Sequence, residues 1–295
     1  MMLLLVLTAT PVDAASCSSK GACTLVFTAA PADAKVGSTI TSVQFVPGAA
    51  SVAVTIVYTD SGLPVTGFGG AITLALLQAP TNTATGILTG TVEVVPTDGV
   101  ATFAGLKVDK HGDYKLKATS GTRVRSATSG TFSVWDNVDT CGNQPCPSNL
   151  NAPHETISII STTTGGGILA ASSGAENTAN PCVLPPKLKK AQFGPNVTRI
   201  GGTISGTGTK TVTMTYDQEY VNSQPNNGAS AYEVCYQTDV PFTDLTGATD
   251  VTTGLLPLCS AQDPVPPCIL SKSKNSGNGT VTIILLLPAA DPRMW

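Results

Sequence analysis

The chain is predicted to be all-β, with two tandem β-sandwiches. Three observations carry that expectation. Apolar residues repeat with period two in one segment after another, as they do along a half-buried strand. No amphipathic pattern of helical period extends over ten or more residues. The alternation stops once near mid-chain and then resumes. Composition agrees. Hydrophobic residues make up 41%, enough for real cores, while charged residues make up only 12%, half the usual share of roughly 25%. The surface must then be rich in Thr, Ser, Asn and Gly, a mix that suits exposed strand faces. A net charge of −3 gives no electrostatic footprint for nucleic acid. No apolar run reaches the roughly 20 residues of a membrane span.

Residues 1–15 read as a signal peptide whose true start lies upstream of Met1. Leu3 to Leu7 form its apolar run, and Val12-Asp13-Ala14 offers small residues for cleavage near Ala14 or Ala15. An N-terminal strand or short buried segment is the alternative. The first sandwich is expected over residues 16–135. It opens with Leu25 to Thr28. A long strand follows, with Val52, Val54, Ile56 and Tyr58 on one face. Asp60 to Pro64 breaks that strand, and Ala71 to Leu76 is the next. Residues 78–86 form a polar loop, and Leu88 to Val95 leads to the Asp98-Gly99 turn. The stretch from Val100 to Ala104 alternates. After a turn at Gly112-Asp113, Tyr114, Leu116 and Ala118 point one way and Lys115, Lys117 and Thr119 the other. Thr131 to Trp135 closes a set of seven or eight strands.

Residues 136–147 carry turn residues without periodicity and read as a linker. The second sandwich is expected over 148–295. Its strands are Thr156 to Ile160, Val197 to Ile204, Thr211 to Tyr216, Tyr232 to Tyr236 and Gly279 to Leu285. Thr207-Gly208-Thr209 is a hairpin candidate, and residues 238–267 read as a long, Pro-bearing, disulfide-tied loop.

The eight cysteines are Cys17, Cys23, Cys141, Cys146, Cys182, Cys235, Cys259 and Cys268. An even count behind an export signal implies disulfides in an oxidising compartment. Many pairings are open. Cys17 with Cys23, Cys141 with Cys146 and Cys259 with Cys268 would close small local loops, which leaves Cys182 with Cys235 as a longer bridge. Zinc is the rival reading, but it would want C-x-x-C pairs or histidines nearby, and His111 and His154 flank no cysteine pair.

Signals for catalysis are sparse. Neither histidine lies in a nucleophile signature. Asp60, Glu93, Asp98, Asp109 and Asp113 sit mostly in turns, without the pairing that glycoside hydrolysis needs. Asp136, Asn137 and Asp139 could ligate calcium, but the run lacks the usual loop pattern. Asn196-Val197-Thr198 and Asn278-Gly279-Thr280 are sequons. Tyr216, Tyr220, Tyr232 and Tyr236 cluster in sequence, whereas Trp135 and Trp295 are far apart, and core packing is the default for such rings.

The first domain resembles the bacterial immunoglobulin-like repeats of secreted and surface-anchored proteins. The resemblance rests on Pro64 to Gly67, Ala71 to Leu74, Gly99 to Leu106 and Gly112 to Ala118. It implies that Tyr114, two residues before Leu116, is a tyrosine corner without the inter-sheet disulfide. The second domain resembles a C-terminal all-β region of exported actinobacterial proteins. Val234 to Tyr236, Pro241 to Thr243, Gly254 to Cys259, Pro267-Cys268 and Pro288 to Arg293 carry that likeness. The second resemblance implies location and architecture only, and the sequence as a whole reads as an extracellular or cell-surface, non-enzymatic structural or adhesion protein, with no cofactor and with a surface protein or glycan as partner. A carbohydrate-binding module, or an ancillary part of a larger secreted enzyme, is the alternative.

Overall fold

The computed structural model describes residues 17–294 apart from 18, 20, 47, 79–84, 142–145, 163–166, 175–195, 203–207, 225–227, 243–250, 263 and 289–291. The predicted signal peptide, Cys182 and Trp295 lie outside the described residues. The chain is all-β, with the strands among the described residues in five sheets. It divides into two compact units, with the break between Val134 and Trp135, so that Trp135, the last residue of the strand that closes the first unit, belongs to the second.

The first unit holds β1 (Cys23–Ala29), β2 (Ala34–Lys35), β3 (Val52–Tyr58), β4 (Ile72–Gln78), β5 (Leu88–Thr89), β6 (Glu93–Val94), β7 (Val100–Phe103), β8 (Lys107–Val108), β9 (Gly112–Thr119), β10 (Ala127–Thr128) and β11 (Phe132–Trp135). One sheet runs β1-β3-β7 and another β2-β11-β9-β4-β6, with β10 also on β9. The strands β5 and β8 form a small separate pair. Period two dictates which side chains go inward. Along β9, Tyr114, Leu116 and Ala118 are buried while Lys115, Lys117 and Thr119 are exposed. Leu25, Val54 and Phe103 from the first sheet meet Leu74, Leu116 and Phe132 from the second in one core. The Asp98-Gly99 turn has both residues at positive φ, 50° and 82°, as a type I′ hairpin requires. Thr97 and Val100 exchange two backbone hydrogen bonds of 2.9 Å across it. Gly112 is not the expected turn. It opens β9, and the turn lies just before it.

The second unit holds β12 (Asn137–Cys141), β13 (Cys146–Ala152), β14 (Glu155–Ser161), β15 (Gly167–Gly174), β16 (Val197–Gly202), β17 (Thr209–Tyr216), β18 (Cys235–Phe242), β19 (Val251–Leu255), β20 (Cys268–Lys274), β21 (Val281–Pro288) and β22 (Pro292–Met294). A short helix, α1 (Gln218–Ser223), and a 3₁₀ turn at Ala229–Ala231 follow β17. The sheets run β12-β15-β16-β22-β18-β19 and β13-β14-β17-β21-β20. Ile157, Val212, Met214, Ile283 and Leu285 from the second meet Leu169, Ala171, Ile200 and Tyr236 from the first in one core.

Three expectations are corrected here. Residues 136–147, read as a linker, hold β12 and the start of β13. Both strands lie at sheet edges, where polar residues and Pro147 are tolerated because one row of backbone groups needs no ladder partner. The segment 238–267, read as a loop, holds most of β18 and all of β19. Pro241 falls where the β18–β19 register shifts between Gln237 and Phe242, a place in a sheet that accepts proline. The hairpin expected at residues 207–209 lies partly outside the described residues, and the strands on either side, β16 and β17, belong to different sheets rather than pairing with each other. Among the described residues no helix is long and apolar enough to cross a membrane.

Candidate functional site

A polar and aromatic cluster lies in the second unit, around the tight turn between β13 and β14. Ala152 pairs with Glu155 across Pro153-His154, and His154 takes a positive φ of 64°. Asp217 ties this turn to the end of β17. Its N–H donates to His154 O at 3.0 Å, and its Oδ2 lies 3.0 Å from His154 Nδ1. Its Oδ1 accepts the Tyr220 N–H at 2.8 Å and so caps α1. That backbone N–H is the main reason the Asp217 carboxyl is held below the usual carboxylate range, with His154 adding to it against a burial effect. Tyr220 stacks against His154 at 6.4 Å and meets Tyr216 in a tilted contact at 5.5 Å, and Tyr232 stacks on Tyr216 at 5.7 Å.

Beneath these rings lies Glu155, only 3% exposed. Its Oε2 accepts from Asn196 Nδ2 at 3.3 Å, and the same Nδ2 donates to Pro153 O at 2.9 Å. Glu155 Oε1 is buried and has no hydrogen-bond partner among the described residues. Burial raises the Glu155 carboxyl to about 7, against the opposing influence of Asn196 and the Tyr216 hydroxyl. Burial, and next the Glu155 charge, pushes the Tyr216 hydroxyl well above its ordinary value. The Tyr220 hydroxyl is pushed up to about 12, first by burial. Tyr232 is raised by burial, and its hydroxyl has no hydrogen-bond partner among the described residues. Chemically, the cluster is a buried carboxyl held toward its neutral form by burial, set among aromatic rings and an amide.

The residues singled out from sequence are scattered. Tyr114 is buried, and its hydroxyl faces Lys110 O at 3.1 Å and His111 O at 3.2 Å. Gly86 lies over that hydroxyl so closely that a Cβ there would stand 2.6 Å from it. Disulfides join Cys17 to Cys23 and Cys259 to Cys268. Cys141 and Cys235 are also disulfide-bonded, while the side chain of Cys146, like all of Cys182, lies outside the described residues. His111 and His154 fall in separate units. Asn137 Nδ2 donates to Asp139 Oδ2 at 3.0 Å and to Ser148 Oγ at 2.9 Å, while Asp136 Oδ2 accepts the Ser173 N–H at 3.3 Å. The residues weighed as calcium ligands thus bond to protein groups, and no metal-holding cluster occurs among the described residues. Trp135 is buried beneath the Arg199 guanidinium, 5.1 Å from the ring centroid, and against Gly201, where a Cβ would meet the ring at 2.5 Å.

Sequence reasoning passed over Glu155 and Lys210. The signal was present. Glu155 shares parity with Ile157 and Ile159, and Lys210 with Val212 and Met214, so period two puts both on buried faces. No protein family, curated protein or solved structure matches this chain.

Proposed function

We propose that the protein is a non-enzymatic, secreted or cell-surface structural and adhesion protein built of two tandem immunoglobulin-like β-sandwiches. The strand order of the first unit carries the reading. The arrangement β1-β3-β7 beside β2-β11-β9-β4-β6 corresponds to strands A, B, E and A′, G, F, C, C′ of an immunoglobulin-like sandwich. Tyr114 sits near the start of the strand that corresponds to F and reaches back to backbone just upstream, as a tyrosine corner does. The disulfides suit an oxidising exterior. Such a module holds its shape through its cores and offers strand faces and loops to a surface protein or glycan.

One observation favours a second reading, a carbohydrate-binding module. Tyr220 is half-buried beside the exposed His154, and the half-buried Tyr232 stacks on Tyr216, a partly open aromatic rim with polar neighbours. A glycan array probed with the full chain, disulfides intact, separates the two. The structural reading expects no saccharide signal that depends on these rings. A signal that a folded Tyr220→Ala chain loses would overturn it in favour of the module.

A further inference from the structure

The two units differ in the sign of their charge. Residues 17–134 hold eight Lys and Arg against six Asp and Glu, whereas residues 135–295 hold eight against twelve. Part of the first unit's excess is gathered on one sheet face. Lys115 and Lys117 both point outward from β9 and are exposed. They stand about 7 Å apart along the strand. Their register partners carry no charge: Leu77 lies opposite Lys115, and Ala75 and Thr128 flank Lys117. Leu77 is 39% exposed, so aliphatic surface adjoins the two ammonium groups. Asp113, next along the same face, is buried and accepts the Ser133 hydroxyl at 2.7 Å, and Glu93 lies further off, opposite Thr73. Neither lysine is in an ion pair among the described residues.

The second unit offers a matching surface. At the start of α1, Asp217 and Glu219 lie within one turn, roughly 5–6 Å apart. Glu219 is exposed, and Asp217 is partly exposed, with its Oδ2 turned to His154. The half-buried ring of Tyr220 follows, a surface that accepts both an aliphatic side chain and an ammonium group. We infer that copies of this chain associate head to tail, with the Lys115, Lys117 and Leu77 patch of one copy seated on the Asp217, Glu219 and Tyr220 rim of the next. Neither surface can pair with itself, because lysine would face lysine and carboxylate would face carboxylate. The contact is therefore heterologous, and it closes into a ring or continues as a filament according to the rotation from copy to copy. It is small and largely charged, hence weak and sensitive to salt. The inference rests on the structural and adhesive reading, to which it adds a further copy of the chain as partner.

Sedimentation equilibrium of the full, disulfide-intact chain tests this. At about 20 mM salt and protein up to about 1 mM, the weight-average mass should climb with concentration past that of one chain. At about 300 mM salt the screening length falls from about 20 to about 6 Å, and the association constant should drop about tenfold. This salt series needs no variant. Lys115→Glu together with Lys117→Glu should stay monomeric. So should Asp217→Asn together with Glu219→Lys, in which Asn still caps α1. Mixed in equal amounts, the two double variants should form complexes again, because each keeps the surface that the other lacks. A monomer throughout the concentration series, association indifferent to salt, association retained by either variant, or no complex in the mixture would overturn the proposal. Any of these would leave the two-sandwich architecture and its other partners untouched.

Discussion

Removing the Tyr114 hydroxyl probes the first unit where its packing and hydrogen bonding coincide. The ring is 1% exposed and lies against Phe132 with centroids 6.1 Å apart. Its hydroxyl is shared between the carbonyls of Lys110 and His111, so it fastens the turn before β9 to the body of the sheet. Tyr114→Phe keeps the ring and removes only that fastening. Two carbonyls lose a donor in a part-buried place, which costs about 1–2 kcal/mol. Tyr114→Ala adds a cavity bounded by Phe132 and Gly86, and the cost rises to about 3–5 kcal/mol. For a unit of this size each kcal/mol lowers the midpoint by roughly 4–8 °C. Calorimetry of the full chain reads the effect as a shift of the first unit's transition, with the second unit's transition unmoved. Tyr114→Phe without any shift would refute the fastening role. Tyr114→Ala that keeps the transition but abolishes binding to a surface ligand would make Tyr114 part of a recognition face and favour the binding module.

Other perturbations have equally definite outcomes. Gly86→Ala places a methyl carbon 2.6 Å from the Tyr114 hydroxyl, so it should destabilise the first unit by about 1–3 kcal/mol in urea unfolding. The Glu155 carboxyl is raised in the folded state, so its stabilisation of the second unit is complete below pH 4.5 and is lost as pH rises through about 7. The total loss is about 3 kcal/mol, and Glu155→Gln should abolish this slope in denaturant titrations. Replacing Cys259 and Cys268 together by Ser opens a loop of short separation and should cost about 2–3 kcal/mol. When the chain is secreted from a eukaryotic host, mass mapping should find glycan on Asn278 and none on Asn196 of the folded product. The first is exposed in the β20–β21 turn, whereas the Nδ2 of the second is buried and donating to Pro153 and Glu155.

Alternation made much of the fold legible, because burial of one strand face leaves a direct trace in residue order. The β9 and β21 patterns could be read nearly residue by residue. Edge strands could not. Half of the backbone groups in β12 and β13 face away from the ladder, so Asp139, Thr140 and Pro147 resemble turn residues there. Pairing was illegible at residues 207–209 for a different reason. Alternation says which face is buried and nothing about which strand lies alongside, so β16 and β17 looked like a hairpin although they feed separate sheets. The Glu155 cluster was hidden by a single residue of register. A strand begun at Thr156 leaves Glu155 in the turn, whereas the observed start puts it on the buried face. Its partners Asn196, Tyr216 and Tyr232 come from distant parts of the chain, and no local pattern brings them together.

Mechanical extension of single full-length molecules tests the central claim most directly. A structural protein of two tandem sandwiches should yield two separate unfolding events under load. Release of the first unit should lengthen the chain by on the order of 350–400 Å, and its rupture force should drop in Tyr114→Ala while the other event stays unchanged. A single cooperative rupture of the whole chain, or extension without a resolved event for the first unit, would contradict the claim.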